Sequence, residues 1–463
     1  MIKNSMIYTI GTILPKIVVF LMLPIYMMYL TPAEYGTIQM INALVGVVSI
    51  FFLTSLRASV TRLYIDYSDN KDSFTFTIFS FLILFAFFLG TLLYFMKPLL
   101  GGIVFNEIPV DPYYLFLIVL SALSVFPVVP LSMMRIQEKA WLYVSMNIIE
   151  TLLIISFTLY LLIFQDMGAL GGVLALVIAK SIMAVLYTTY TISSTGFHLK
   201  RMKILYLSSA LLIGIPLIPH FLAGWVNNLA DRLIIENILG LEVLGIYSIG
   251  AQFNMAILLL VNAFNMAFAP RYYKMMKAEK FSQKNFDKIF TVLFSSITTV
   301  ALVMYILVPI MIRLFGSSEY DADYSFIGFL LGGAIWHLAY IFVVAALIYN
   351  KKPGYIAVST VISAIFNILL NLALLPILGI LGAAIATYVA MMVQFLLINR
   401  IANKLTYHTY QLSWKHYLPT QILYTIVIIV DVVLDKIILF GFSSIVLILF
   451  CFKSFIDQIK VNK

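Results

Sequence analysis

Three ionisable side chains, Lys16, Glu150 and Lys180, fall inside long apolar stretches of this chain. A charge near the centre of a bilayer costs roughly 2.5–3.5 kcal/mol on insertion scales, so such residues face protein or water. Counted from one end of their segments, all three sit ~14–16 Å deep at 1.5 Å per helical residue. Two readings are open. In the first, Glu150 and Lys180 form a structural ion pair between neighbouring antiparallel helices, which leaves Lys16 as the odd cation. In the second, Lys16, with or without Lys180, presents positive charge to a cleft for an anionic substrate, and Glu150 is a protonatable coupling group. Arg57, Arg62 and Arg271 end apolar segments. They serve as interface anchors or, because an arginine fork binds phosphate oxygens bidentately, as a receiver for a diphosphate headgroup. Asp231–Arg232 reads as a local pair or as part of an outer gate. His220 and His337 read first as packing residues, with His337 the candidate proton carrier.

The segments that carry these residues number fourteen, each long enough to cross a ~30 Å hydrocarbon layer. They lie near 7–30, 37–58, 75–96, 113–134, 141–164, 168–191, 207–230, 241–268, 289–312, 326–349, 355–375, 380–401, 417–434 and 437–456. The connections between them alternate in charge. One side holds 23 of the 29 Lys and Arg residues; the other holds only Lys97, Arg232, Arg313 and Lys436. Short loops rich in Lys and Arg mark the cytoplasmic side. The pattern therefore predicts an even number of spans with both termini in the cytoplasm. Pro15-Lys16 interrupts the first apolar run, which favours a retained first span over a cleaved signal.

Composition removes several classes of function. A chain that is 63% hydrophobic and 11% charged is no water-soluble globule. The net charge of +9 is the loop bias summed over many connections, so no nucleic-acid partner is expected. The single cysteine, Cys451, argues against an internal disulfide, a cysteine-based zinc site or an iron–sulfur cluster, and no cofactor is expected. The longest polar stretch, about 270–287, leaves no room for a folded aqueous domain.

The first six spans and the next six read as copies. Leu30-Thr-Pro-Ala-Glu34-Tyr-Gly36 follows span 1, and Leu239-Gly-Leu-Glu242-Val-Leu-Gly245 follows span 7. Arg62 lies 26 residues beyond Gly36, and Arg271 lies 26 beyond Gly245. Gly168-Ala-Leu-Gly171-Gly172 before span 6 matches Gly379-Ile-Leu-Gly382-Ala383 before span 12, and Trp141-Leu-Tyr-Val144-Ser145 matches Tyr355-Ile-Ala-Val358-Ser359. A six-span repeat keeps its orientation in both copies, so the halves are expected to be related by an axis along the membrane normal. The expected fold is all-α and integral to the membrane. It has two six-helix bundles, 1–200 and 201–405, and two added spans in 406–463. Prolines in spans 1, 4 and 7 (Pro15, Pro24, Pro127, Pro130, Pro216, Pro219) predict kinks there.

The motif after span 1, together with Asn228-Leu-Ala-Asp231-Arg232 and Leu239-Gly240…Gly245-Ile-Tyr247-Ser248, resembles the Wzx-like oligosaccharide flippases of O-antigen and capsule export. These form a branch of the MOP exporter superfamily, whose other branches include drug/cation antiporters and the peptidoglycan lipid flippase. The resemblance implies an undecaprenyl-diphosphate-linked oligosaccharide as substrate, moved from the cytoplasmic to the outer leaflet of a bacterial inner membrane. It also implies a cation-lined cavity, to which Lys16, Arg57 and Lys180 fit by position, and coupling to an H+ or Na+ gradient. A polysaccharide polymerase and a chain-length regulator become candidate partners. The same superfamily offers a drug/cation antiporter as the alternative, which would favour an acidic cavity. A membrane-embedded polymerase or glycosyltransferase is the distant alternative. Its only outer acidic cluster, Glu319-Tyr-Asp321-Ala-Asp323, lies in a loop too short for a sugar pocket, so the chain is not expected to be an enzyme.

Overall fold

The computed structural model describes residues 2–196, 202–277, 282–405 and 412–434, and among them every regular element is helical. In chain order these are α1 (Ile2–Leu21), α2 (Leu23–Tyr29), α3 (Pro32–Leu53), α4 (Leu56–Asp66), α5 (Lys71–Phe95) and α6 (Lys97–Val104). There follow α7 (Val110–Leu123), α8 (Val128–Ile136), α9 (Ala140–Leu159), α10 (Gly168–Thr195), α11 (Ile204–Gly214) and α12 (Ile218–Lys277). The last are α13 (Gln283–Phe315), α14 (Ile327–Tyr349), α15 (Gly354–Leu378), α16 (Ile380–Leu405) and α17 (Leu418–Leu434). Ten segments are long and apolar enough to cross a membrane; the longest, Ile204–Lys277, covers both the seventh and eighth expected spans. Ile13–Tyr29 and Leu418–Val433 are shorter apolar helices, so every expected span through the thirteenth has a helical counterpart. The fourteenth lies outside the described residues. This is a multi-pass integral membrane protein.

Contacts divide the chain into two compact units, Met1–Met22 with Tyr29–Gly245, and Leu23–Met28 with Ile246–Lys463. That division follows packing, a criterion separate from repetition; the repeat-defined halves 1–200 and 201–405 stand as an expectation.

In the first unit the motif after span 1 has a plain local cause. Thr31 caps α3: its hydroxyl accepts the Glu34 amide at 3.2 Å, and the Glu34 carboxylate accepts the Thr31 amide at 2.9 Å. Pro32 adds a preset φ at the first helical position. Gly36 answers a different demand. A Cβ there would stand 2.1 Å from the Leu241 carbonyl oxygen, and one on Gly245 would stand 1.9 Å from the Pro32 carbonyl oxygen. The residue that each glycine meets is the other glycine's neighbour four positions back, so the contact is reciprocal. Only residues without a Cβ let two backbones approach this closely, at the range where Cα–H···O contacts form.

In the second unit α14 is the centre. Its apolar window is 78% buried, as expected of a helix that is hydrophobic all round. Phe342 packs there against Phe264, Phe268, Phe286 and Phe290. A polar seam joins α15 to α16. Ser363 donates to the Ala390 carbonyl at 2.9 Å, Gln394 to Thr360 at 3.1 Å, and Asn367 to Thr387 at 3.4 Å. Hydrogen bonds of this kind hold apolar helices together where lipid supplies no hydrophobic drive. The expected addition α17 is tied into this unit: Tyr424 donates to the Gly328 carbonyl at 2.7 Å, and Tyr305 donates to Asp431.

Candidate functional site

Three spans of the first unit are broken, and the breaks lie together. Span 2 is split between α3 and α4 at Thr54 (φ 43°) and Ser55 (φ 53°). Two successive non-glycine residues in the left-handed region carry strain of order 1–3 kcal/mol each, sustained by surrounding packing. Span 4 is split between α7 and α8 by the turn ending at Pro127. Span 7 is split between α11 and α12 by the single 3₁₀ turn 215–217 containing Pro216. Leu56, Val60 and Leu63 of α4, Val128, Val129 and Met133 of α8, and Tyr206 and Ala210 of α11 form one apolar cluster. Gln137 clamps the first two by donating to the Tyr64 hydroxyl at 2.8 Å.

This arrangement brings two guanidinium groups within electrostatic reach of each other. Arg57 occupies the first turn of α4, and Arg135 the last turn of α8. Both are exposed, and their like charges oppose one another. Neither has an ion-pair partner among the described residues, where the ion pairs are Arg62–Asp66, Lys97–Asp111 and Arg232–Asp231. The N-terminus of α4 has no side-chain cap, and the Ser55 hydroxyl is buried without a partner. Free amides at a helix start favour anions, as does the positive end of the helix dipole. Arg135 lies 5.4 Å over the Tyr143 ring, against which Tyr8 packs edge-on at 5.3 Å. Tyr8 is fixed by donating to the Met134 carbonyl at 3.2 Å. Lys139 sits 5.8 Å over the Tyr190 ring at the same end. Together these residues make a cationic patch lined by tyrosines.

The other sequence candidates are distributed differently. Glu150 does not pair with Lys180; it accepts the Tyr187 hydroxyl at 3.3 Å, and Lys180 is half-buried with no ion pair among the described residues. The antiparallel ion pair is therefore not formed: Tyr187, one of the buried apolar cluster around Tyr143, lies two turns beyond Lys180 on the same face of α10, and the axial register of the two helices sets it against Glu150 instead. Lys16 is exposed and likewise makes no ion pair among the described residues. Arg62 points outward to Asp66 at 3.9 Å, with both side chains more than half exposed. Arg232 is only 5% exposed, and its Nη1 is engaged by Asp231 at 3.3 Å and the Asn228 carbonyl at 2.9 Å. The pair is thus a local one. Arg271 is exposed in the second unit, His220 is exposed, and His337 stacks on Tyr340 at 5.5 Å.

Arg135 was not singled out by sequence, because in a basic loop it passes for one anchor among many. The signal was there: it follows Pro127 and Pro130 at the end of a short, separately starting half-helix. Asp431, which anchors α17, was also missed.

The fold is one that solved membrane proteins share. Solved structures of similar fold are the lipid II flippase MurJ in an inward closed conformation and an inward-facing MATE family transporter of the MOP superfamily. The first has TM-score 0.75 and 15% identity and covers 99% of this chain and 98% of that one. The second has TM-score 0.67 and 12% identity and covers 86% and 100%. A protein of the Lsg locus of Haemophilus influenzae is 26% identical over 396 residues, covering 82% of this chain and 94% of its own length. Residues 1–276 match the family described as polysaccharide biosynthesis protein, and the chain belongs to that family.

Proposed function

We propose that this protein is a flippase for a polyprenyl-diphosphate-linked oligosaccharide, carried from the cytoplasmic to the outer leaflet of a bacterial plasma membrane by alternating access. The observation that carries the reading is the Arg57–Arg135 pair at the uncapped start of α4. Two like cations that have no ion pair among the described residues are relieved by a ligand with two adjacent negative phosphates. The sugar and diphosphate travel in the wet interior, and the polyprenyl tail stays in lipid. No bond is made or broken. The carrier need only bind its cargo in both states, while a gradient of H+ or Na+ biases the cycle. The basic loops, with both termini, face the cytoplasm in this reading. Polymerase and chain-length regulator are its candidate partners.

The test is genetic. Deletion should leave undecaprenyl-linked repeat units on the cytoplasmic leaflet. A charge-assisted hydrogen bond contributes about 1.5–3 kcal/mol, so Arg57→Ala or Arg135→Ala should weaken headgroup binding by roughly 10- to 150-fold and fail to restore export. Arg62→Ala should restore it. Full rescue by both Arg57→Ala and Arg135→Ala overturns the site, and rescue by Lys16→Ala and Lys180→Ala removes those two from it. A second reading, a drug/cation antiporter, shares the fold of the MATE structures. Drug hypersensitivity in the deletion strain without a glycan defect would favour it; the cationic patch speaks against it.

A further inference from the structure

At the lysine-poor end of the first unit, a carboxylate lies buried without an ion pair among the described residues. Glu236 stands one turn before Gly240 in α12 and is 2% exposed. Neither of its carboxylate oxygens makes a hydrogen bond of full geometry, and no cation lies within ion-pair distance among the described residues. Arg232, one turn earlier on the same helix, is turned away to Asp231 and the Asn228 carbonyl. The segment after α6 faces Glu236 with the backbone amides of Asn106 and Glu107, whose long contacts favour a charged carboxylate but fall short of full hydrogen-bond geometry, and with a second acidic group, the Glu107 carboxylate, which opposes it.

Glu107 is itself occupied. Its carboxylate accepts the Leu241 amide at 2.8 Å and lies 3.0–3.2 Å from where a Gly240 side chain would start. Gly240 takes φ 87°, which turns the chain there and is open to glycine. Glu107 therefore works as an acceptor at the start of the helix that follows the turn, and its exposure gives it contact with water. Lys97, the nearest basic residue in sequence on that segment, is bound to Asp111 at 2.6 Å. An ionised Glu236, stripped of water beside the Glu107 carboxylate, is disfavoured by burial first and by that neighbour second, and the Asn106 and Glu107 amides offset this only in part.

We propose that Glu236 is a proton-binding site, a neutral acid at neutral pH that exchanges its proton with the aqueous phase by way of the exposed carboxylate of Glu107. Loss of the proton leaves Glu236 as an anion beside Glu107, draws Glu107 off the Leu241 amide and loosens the turn at Gly240. Under the flippase reading, this is where a proton gradient acts on the first unit; proton binding itself does not depend on that reading.

The test uses the full chain in lipid nanodiscs, followed by infrared difference titration of the protonated carboxyl C=O band. Wild type should show the band at neutral pH, and Glu236→Gln should remove it. In Glu107→Gln the band should persist but disappear at a pH lower by about one unit or more, because the neighbouring anion is gone. This second variant keeps Glu236 and so decides the matter even if Glu236→Gln does not fold. A band unchanged in Glu236→Gln, or absent from wild type at neutral pH, overturns the assignment. So does a band lost when sodium replaces potassium at constant pH, which would make the occupant a metal cation. Glycan export that persists in Glu236→Gln cells removes the proton from the transport cycle. A deletion strain without stalled lipid-linked units would instead remove the flippase reading, and the spectroscopic result would stand.

Discussion

Gly245→Ala tests the closest approach in the first unit. The new methyl would stand 1.9 Å from the Pro32 carbonyl oxygen, whereas ordinary contact begins near 3.4 Å, so the two backbones must part by about 1.5 Å. The obstacle is main chain within a capped helix start, which has no rotamer to change. Overpacking costs typically 1–3 kcal/mol where side chains can adjust, and the upper end applies here. At roughly 2–4 °C per kcal/mol for a unit of this size, thermal unfolding in detergent should fall by about 6 °C or more. Gly36→Ala should behave alike, since its methyl would meet the Leu241 carbonyl oxygen at 2.1 Å. Because one separation makes room for both methyls, the double variant should cost clearly less than the two single costs combined. Gly354→Ala, with nothing within 4 Å, is the control. A Gly245→Ala protein that melts with the control, or a double variant whose costs simply add, refutes the reciprocal contact.

Thr31→Ala removes the α3 cap and should cost about 1 kcal/mol, read as a lower melting temperature. Asn367→Ala strips the Thr387 contact and one Asn371 bond from the α15–α16 seam; the same melt should register a loss of about 1 kcal/mol, below 2. Lys97→Ala breaks an ion pair whose Asp111 side is 74% exposed, and its effect should stay under about 1 kcal/mol and shrink as salt is raised.

The local signals in this sequence translated directly. The Thr31–Glu34 motif is a capping box, and Pro127 and Pro216 lie at real breaks; Gly36 and Gly245, read in the sequence as repeat positions, prove to cross backbone to backbone. What stayed hidden depends on tertiary context. Thr54 and Ser55 carry no sequence mark of a left-handed conformation; packing imposes it, and with it the placement of Arg57. Hydropathy ends the seventh span near residue 230, whereas α12 stays helical to the turn at Gly240 and buries Glu236 on the way. The axial register of α9 against α10, which sets Glu150 beside Tyr187 two turns beyond Lys180, leaves no trace in a linear pattern of apolar residues.

The Gly36–Gly245 crossing also has a mechanical meaning. Most helix contacts are cushioned, because side chains take up small displacements by changing rotamer. Here carbonyl meets α-carbon with no padding between them, so a push on the start of α3 reaches the segment beyond the Gly240 turn with almost no slack. Two stretches 209 residues apart in the chain are thus bound to move as a single lever.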